Sequence, residues 1–160
     1  MGSKMNMILH QLHKLHIDKI ATHFYACSDL AGQFMYPVKI RERGTYCIIN
    51  NAVNLQKYKF DMEKRNQVRA QWNWNGKKVI GHVGRFHKKK NHKFLIEIFE
   101  ALHKKDKNTV LALIGDGGLK SEVEKMVHEK KLDDVVSFVG LTKDVPAYLQ
   151  AMDLFLMPSL

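Results

Sequence analysis

From Lys77 onward the apolar positions of the chain alternate between two periods. "KKVIGHVG" is a β-branched apolar run that closes on glycine, which predicts a buried strand. "NHKFLIEIFEALHKK" then changes to helical spacing, with Phe94, Leu95, Ile98, Phe99 and Leu102 as its apolar stripe. Lysines gather at the end of that segment, where they suit the helix dipole. The strand "TVLALIGD", the turn "GG" and the helix "LKSEVEKMVHEKKL" follow, the helix presenting Leu119, Val123, Met126 and Val127 on one face. "VVSFVG" reads as a third strand, "DVPAYLQAM" as a short helix with Pro146 in its first turn, and "DLFLMPSL" as a fourth strand. Four strands separated by helices and short loops predict a parallel sheet covered by helices on both faces. Right-handed crossovers bring the C-terminal strand ends to one edge, where open α/β sheets bind ligands. Gly84-Arg85, Gly115-Asp116-Gly117 and Gly140 all fall on that edge.

Ahead of Lys77 the pattern is less regular. "KIATHFYACS" and "TYCIINN" read as strands, "SDLAGQFMY" as a short helix capped by Ser28, and "DMEKRNQVRAQW" as a helix capped by Asp61. "NAVNLQKYKF" has no clear period and is expected to be a connecting loop. There is no internal repeat and no low-complexity linker.

Composition narrows the class without naming a function. The 160 residues are 45% hydrophobic and 26% charged, values of a globular protein with a real core. No apolar run approaches the roughly 20 residues that span a bilayer. The N-terminus has no long apolar stretch of the kind a signal peptide needs, and Met1 to Lys4 read as a cloning remnant. Cys27 and Cys47 sit in strand-like apolar runs, so they are expected to be buried free thiols. The formal charge of +10 admits nucleic acid, an anionic surface or a phosphorylated ligand as partner. The lysines are spread over helix faces and ends, however, and no RNA-binding or zinc-finger motif accompanies them, so nucleic acid is not expected.

The candidate chemistry lies at the sheet edge. Arg85 stands directly at a strand end, and Lys88, Lys89 and Lys90 lead into a helix. An arginine fork, a lysine point charge and the free N–H groups of a helix start together suit a phosphate, although a solvated charge cluster would read the same way. "GDGG" lets backbone approach a ligand closely, or simply makes a tight turn. It lacks the third glycine of the dinucleotide-binding fingerprint, which argues against a nicotinamide cofactor. His10, His13 and His16 are spaced three apart with no Cys or carboxylate to complete a metal site, and no metal is expected. His82, within a buried strand, is expected to be a satisfied core residue. No Ser/His/Asp or paired-carboxylate arrangement can be read.

Taken in order, "ACSDLAGQF", "IINNAVNLQKY", "VIGHVGRFHKKKNHKFLIEIFEAL", "LALIGDGGLKSEVEK" and "VVSFVGLTKDVPAYLQAMDLFLMPSL" resemble the group 1 retaining glycosyltransferases of the GT-B fold. The likeness is to the branch that builds capsular polysaccharide and exopolysaccharide. It implies a Rossmann-like parallel sheet flanked by helices, the C-terminal half of a two-domain transferase. It also implies a nucleotide-diphosphate sugar donor, with UDP as the expected nucleotide, and a glycan or lipid-linked acceptor. By the family pattern G-R-x-x-x-x-K-N, Arg85 and Lys90 would bind the donor diphosphate. Gly84, Gly115, Asp116, Gly117, Gly140, Leu141 and Val145 would line the donor crevice. The family's "NG-hydrophobic-D" turn reads Asn50-Asn51-Ala52-Val53-Asn54 here, and asparagine tolerates the left-handed backbone such a turn uses.

The same resemblance sets further expectations. Residues 1–20 would be the remnant and an N-terminal helix, 21–44 the end of an N-terminal domain with its linker, and 45–160 the donor domain. The family's acidic Glu-x7-Glu motif follows "PS", where this chain stops, so the chain is expected to be a fragment without catalytic residues, inactive alone. The parent enzyme would need no metal or cofactor, and would work in the cytoplasm, peripherally associated with the inner face of the membrane. A GT-B sugar-nucleotide epimerase, a nicotinamide-dependent oxidoreductase and a basic nucleic-acid-binding module are the alternatives.

Overall fold

The computed structural model describes residues 17–160, which form two compact units dividing between Val53 and Asn54. The histidine stripe at 10, 13 and 16 and the Met1–Lys4 remnant lie outside the described residues.

In the first unit, strand β1 (Phe24–Ala26), helices α1 (Asp29–Met35) and α2 (Val38–Arg41) and strand β2 (Tyr46–Ile48) form one parallel crossover. Ser28 caps α1 as expected, its hydroxyl accepting from the Ala31 N–H at 3.2 Å. The α2 turn was not expected; it starts after Pro37, whose fixed φ suits the entry to a helix. Phe24, Ala26 and Ile40 are buried, with Tyr36 set edge-on to Phe24 and Tyr46. Pairing of Tyr46–Ile48 with Phe24–Ala26 carries this unit on to Val53, past the 44/45 boundary expected from the sequence. The cysteines are free as expected, but both are exposed rather than buried. Cys47 pairs with Tyr25, and alternation along the strands turns both to the outer face while Phe24 and Ala26 face in.

The second unit carries the extended sheet. A 3-10 turn (Leu55–Tyr58) and α3 (Met62–Gln71) precede β3 (Lys78–Val83). A second 3-10 turn (Lys88–Lys90), α4 (His92–Lys105), β4 (Thr109–Ile114), α5 (Lys120–Glu129), β5 (Val136–Gly140), α6 (Val145–Ala151) and β6 (Leu154–Phe155) follow. All four strands are parallel, in the order β5-β4-β3-β6, so the chain reverses direction across the sheet beside β3. β4 is buried at every position: Leu111 and Leu113 face α4 and α5, while Val110, Ala112 and Ile114 face Trp74, Ala147 and Ala151. That continuous burial is the mark of a parallel strand covered on both sides.

The stripe of α4 is rotated from its expected phase. His92, Leu95, Ile96 and Phe99 are buried, whereas Phe94 is 49% exposed. The i, i+3, i+4, i+7 ladder therefore begins at a histidine, which polarity alone had hidden. The face of α5 is as expected, with Val123 and Val127 buried and Leu119 and Met126 packed beside them. Asp61 caps α3 through the N–H groups of Glu63 and Lys64. Two arginines of α3 bind the far end of the unit: Arg65 and Arg69 both pair with Asp153 and donate to the carbonyls of Gln150, Ala151 and Met152. Asp153 also accepts from the Val79 N–H at 2.7 Å, so one carboxylate joins α3, β3 and the approach to β6.

Asparagine in the Asn50–Asn54 turn acts otherwise than expected. The non-glycine residues of positive φ among the described ones are Asn73, Asn91 and Lys131, none of them in this turn. Asn54 instead caps the first 3-10 turn, its Oδ1 accepting from the Gln56 N–H at 3.0 Å.

Candidate functional site

The C-terminal ends of β3 and β4 are laced together by backbone. Gly84 N–H donates to the Ile114 carbonyl, Phe86 N–H to Asp116, Leu119 N–H to Phe86 and Gly115 N–H to Gly140, at 2.9 to 3.2 Å. The approach is close enough to require glycine. A Cβ on Gly115 would lie 2.1 Å from the Gly84 carbonyl oxygen, and its φ of 138° is one that other residues rarely adopt.

Above this lacing opens a crevice of about 510 Å³. Gly84, Arg85, Gly115, Asp116, Gly117, Leu141 and Val145, seven of the residues singled out from the sequence, line it. Val83, Ile114 and Thr142 line it as well, and their residue types carry no signal that would have marked them. Gly140 supports the crevice through its carbonyl without lining it. Lys90 stands apart from the lining residues, beneath Gly84, with its side-chain Cδ 3.4 Å from where a Cβ of that glycine would be. The volume and the mixture of apolar wall and few polar groups suit a small organic ligand.

The charged residues that line the crevice are Arg85 and Asp116. Of the three arginines in this unit, Arg65 and Arg69 are taken up by Asp153. Arg85 is exposed and has no ion-pair partner among the described residues, and its stem runs along Gly117. Asn91, in the left-handed conformation at φ 53°, turns the chain from the Lys88–Lys90 turn into α4, and its carbonyl accepts the first helical bond from Leu95.

Beneath Gly84 lies a pair of histidines, His82 and His92. His82 is fully buried on β3; its Nδ1 lies 2.7 Å from the Leu156 carbonyl, and its ring is 4.9 Å from that of His92 in a T-shaped contact. His82 Nε2 and both nitrogens of His92 have no hydrogen-bond partner, so His82 is not the fully satisfied core residue expected. Burial, followed by the charges of His82 and Lys90, lowers His92 to about 4. Burial and Lys90 likewise lower His82, against the raising effect of its bond to Leu156.

Residues 64–160 match the family model for glycosyl transferases group 1. EpsF of Bacillus subtilis, named as a glycosyltransferase, is 30% identical over 88% of this chain and 37% of its own length. The α-monoglucosyldiacylglycerol synthase of Acholeplasma laidlawii is 28% identical over 76% of this chain and 32% of its own. Among solved structures, Anabaena HepE in complex with UDP and glucose superposes with a TM-score of 0.73 at 22% identity, over 98% of this chain and 42% of that one. The C-terminal domain of LpcC from Francisella tularensis gives a TM-score of 0.59 at 26% identity, over 68% of this chain and 59% of that one. The chain thus spans about a third of the length of the curated relatives it matches.

Proposed function

The chain belongs to the group 1 glycosyl transferases, and from that premise we propose that its crevice holds the diphosphate of a nucleotide sugar, a UDP-sugar. On this reading the chain supplies the donor-binding part of a retaining transferase that passes a sugar to a polysaccharide or lipid-linked acceptor in capsule or exopolysaccharide synthesis. The observation that carries it is Arg85, an arginine without a carboxylate partner at the mouth of a glycine-lined crevice. A guanidinium so placed can take two phosphate oxygens at once and stabilise the negative charge that grows on the leaving diphosphate. Lys90 adds a second cation on the other side of Gly84. With two cations there, we take the transfer to run without a metal or other cofactor. HepE, with UDP in its structure, and EpsF, by its name, are the relatives that lend this reading support.

We further take the protein to act in the cytoplasm and to meet its acceptor at the inner face of the membrane; no described helix is long and apolar enough to cross one. Titration with UDP, followed by amide NMR, tests the donor reading. Shifts are expected at Gly84–Asn91 and Gly115–Gly117, and Arg85→Ala should weaken binding by about tenfold or more with an unchanged circular dichroism spectrum. Equal binding by Arg85→Ala and the unsubstituted chain would sink the assignment.

A further inference from the structure

The buried histidines under Gly84 lie where two segments of the second unit meet. One is the Gly84–Asn91 loop, which carries Arg85 and Lys90. The other is the Leu156–Leu160 segment that leaves β6. This second segment is tied down by the Leu156 N–H to the Gly81 carbonyl and by the Leu160 N–H to the Lys89 carbonyl, both at 2.9 Å. Between those ties sits His82. A carbonyl only accepts, so the 2.7 Å contact with Leu156 puts the proton on His82 Nδ1 and leaves Nε2 as a bare lone pair. Nε2 lies 2.8 Å from where a Cβ of Gly84 would be, so any larger residue there would collide with the ring.

The rings around it are packed in series. Phe155 stacks on one side of His82, His92 stands edge-on to it, and Phe86 of the loop stacks on His92 at 4.2 Å. The register partner of His82 on β4 is Leu113, and the β6 side offers only Phe155 and a carbonyl. The titratable groups that face the pair are each other and Lys90 and, around the cavity that His92 lines beside α5, His87, Lys88, Lys93 and Glu122. Unsatisfied buried nitrogens are uncommon in native proteins and ask for an explanation beyond packing. An apolar side chain would fill the same space without leaving three of them.

We propose that His82, backed by His92, is a positioning residue: its Nδ1–H holds the Leu156–Leu160 segment in either charge state, its bare Nε2 lets the Gly84–Asn91 loop close directly over the ring, and a proton on Nε2 frees the loop that carries Arg85 and Lys90. A proton on Nε2 has no acceptor within reach and would set a cation beneath Lys90 in a dry site. The folded pair resists protons that the unfolded chain binds at its ordinary value of 6.5. The stability it contributes is therefore complete above that pH and is lost as pH falls from there toward about 4. The effect on donor binding rests on the donor reading given above; the pinning does not.

The test uses the 160-residue chain with UDP-glucose, whose diphosphate, unlike that of UDP, does not titrate in the range of interest. Imidazole and amide NMR between pH 7.5 and 3.5 should find His82 as the Nδ1–H tautomer at the upper end. The amides of Gly84–Asn91 and Leu156–Leu160 should then move together with protonation of the pair. UDP-glucose affinity should fall about twofold or more from pH 7.5 to 4, as the pair takes up protons, while His82→Asn, which can still donate to Leu156 and does not titrate, should flatten that profile. His82→Leu should bind weakly at both pH values. Amides that ignore the imidazole titration, or a folded His82→Leu that binds like the unsubstituted chain, would overturn the proposal. If UDP-glucose fails to bind at pH 7.5, the donor reading falls, and the joint titration alone decides for or against the pin. The same titration decides if His82→Leu does not fold.

Discussion

The two units use the same parallel strand and helix, yet they bury very different amounts of themselves. In the first, β1 and β2 are three residues each and alternate, with one face turned in and the other exposed. Large apolar side chains such as Ile20, Leu30 and Val38 stay exposed there, while the buried apolar set among the described residues is Phe24, Ala26 and Ile40. In the second unit β3 and β4 are six residues long, and helices cover both faces of β4. The difference teaches that strand length and two-sided cover decide where a site can be built. Three loops can be laced within 3.2 Å of one another only when the strands that end in them are held on both sides. The crevice accordingly sits at the end of the well-covered sheet.

The sharpest way to break that contrast is to cut the core of one unit and the surface of the other. Leu111→Ala, at a position with 0% exposure between α4 and α5, should cost about 3 kcal/mol in urea unfolding. Leu30→Ala, at 77% exposure, should stay within about 0.5 kcal/mol. Similar losses from both would mean that the first unit buries Leu30 in solution.

A smaller effect is expected at the junction of α3, β3 and β6. Asp153→Ala leaves Arg65, Arg69 and the Val79 N–H without their shared acceptor and should cost about 2 kcal/mol, less than a fully buried pair because Asp153 is partly exposed. Burial raises the Asp153 carboxyl, but the Val79 N–H and the two arginines outweigh it and hold it below the ordinary carboxylate value. A lowered carboxyl stabilises the fold above its unfolded pKa and loses that contribution as pH falls through the folded one. The Asp153→Ala deficit in thermal unfolding should therefore be constant near neutrality and shrink only in acid, below roughly pH 4. A deficit that already shrinks near pH 6 would point to another group.

The smallest effect belongs to the surface of the same unit. Glu100 joins Lys104 of its own helix to Lys130 beyond α5, and these bonds lower its carboxyl to about 2. Screening by solvent makes such partly exposed pairs weak, so Glu100→Gln should leave the unfolding midpoint almost unchanged, and added salt should erase any difference. A larger, salt-insensitive loss would show that α4 and α5 depend on this bridge rather than on Phe99, Val123 and Val127.

Much of the second unit was legible because its signals are local. β-branched runs ending in glycine marked the strands, and Asp61 and Pro146 marked helix starts that the structure bears out, as Ser28 did in the first unit. Gly84, Arg85, Gly115, Asp116 and Gly117 could be named because glycines and charges at strand ends are unusual in type, whereas Leu141 and Val145 were named only through the family resemblance. Val83, Ile114 and Thr142 escaped notice because their place depends on which loops converge, and nothing in a valine records that. Four-residue α2 escaped because one turn has no period to detect. Exposure of Cys27 and Cys47 was misjudged because an apolar run fixes a strand but not which of its faces is covered.

By itself the sequence determined the order of strands and helices, the caps, the parallel class of the sheet, and the family. All of these follow from periodicity, from residues with few permitted conformations, or from motifs kept in register. Tertiary structure alone decided that Arg85 lines the crevice while Lys90 lies beneath Gly84, and that Asp153 pairs with Arg65 and Arg69 but not with Arg85. It alone brought His82 and His92, ten positions apart in sequence, into ring contact. Charge and burial depend on which distant residues arrive at the same place, and only the closed sheet settles that.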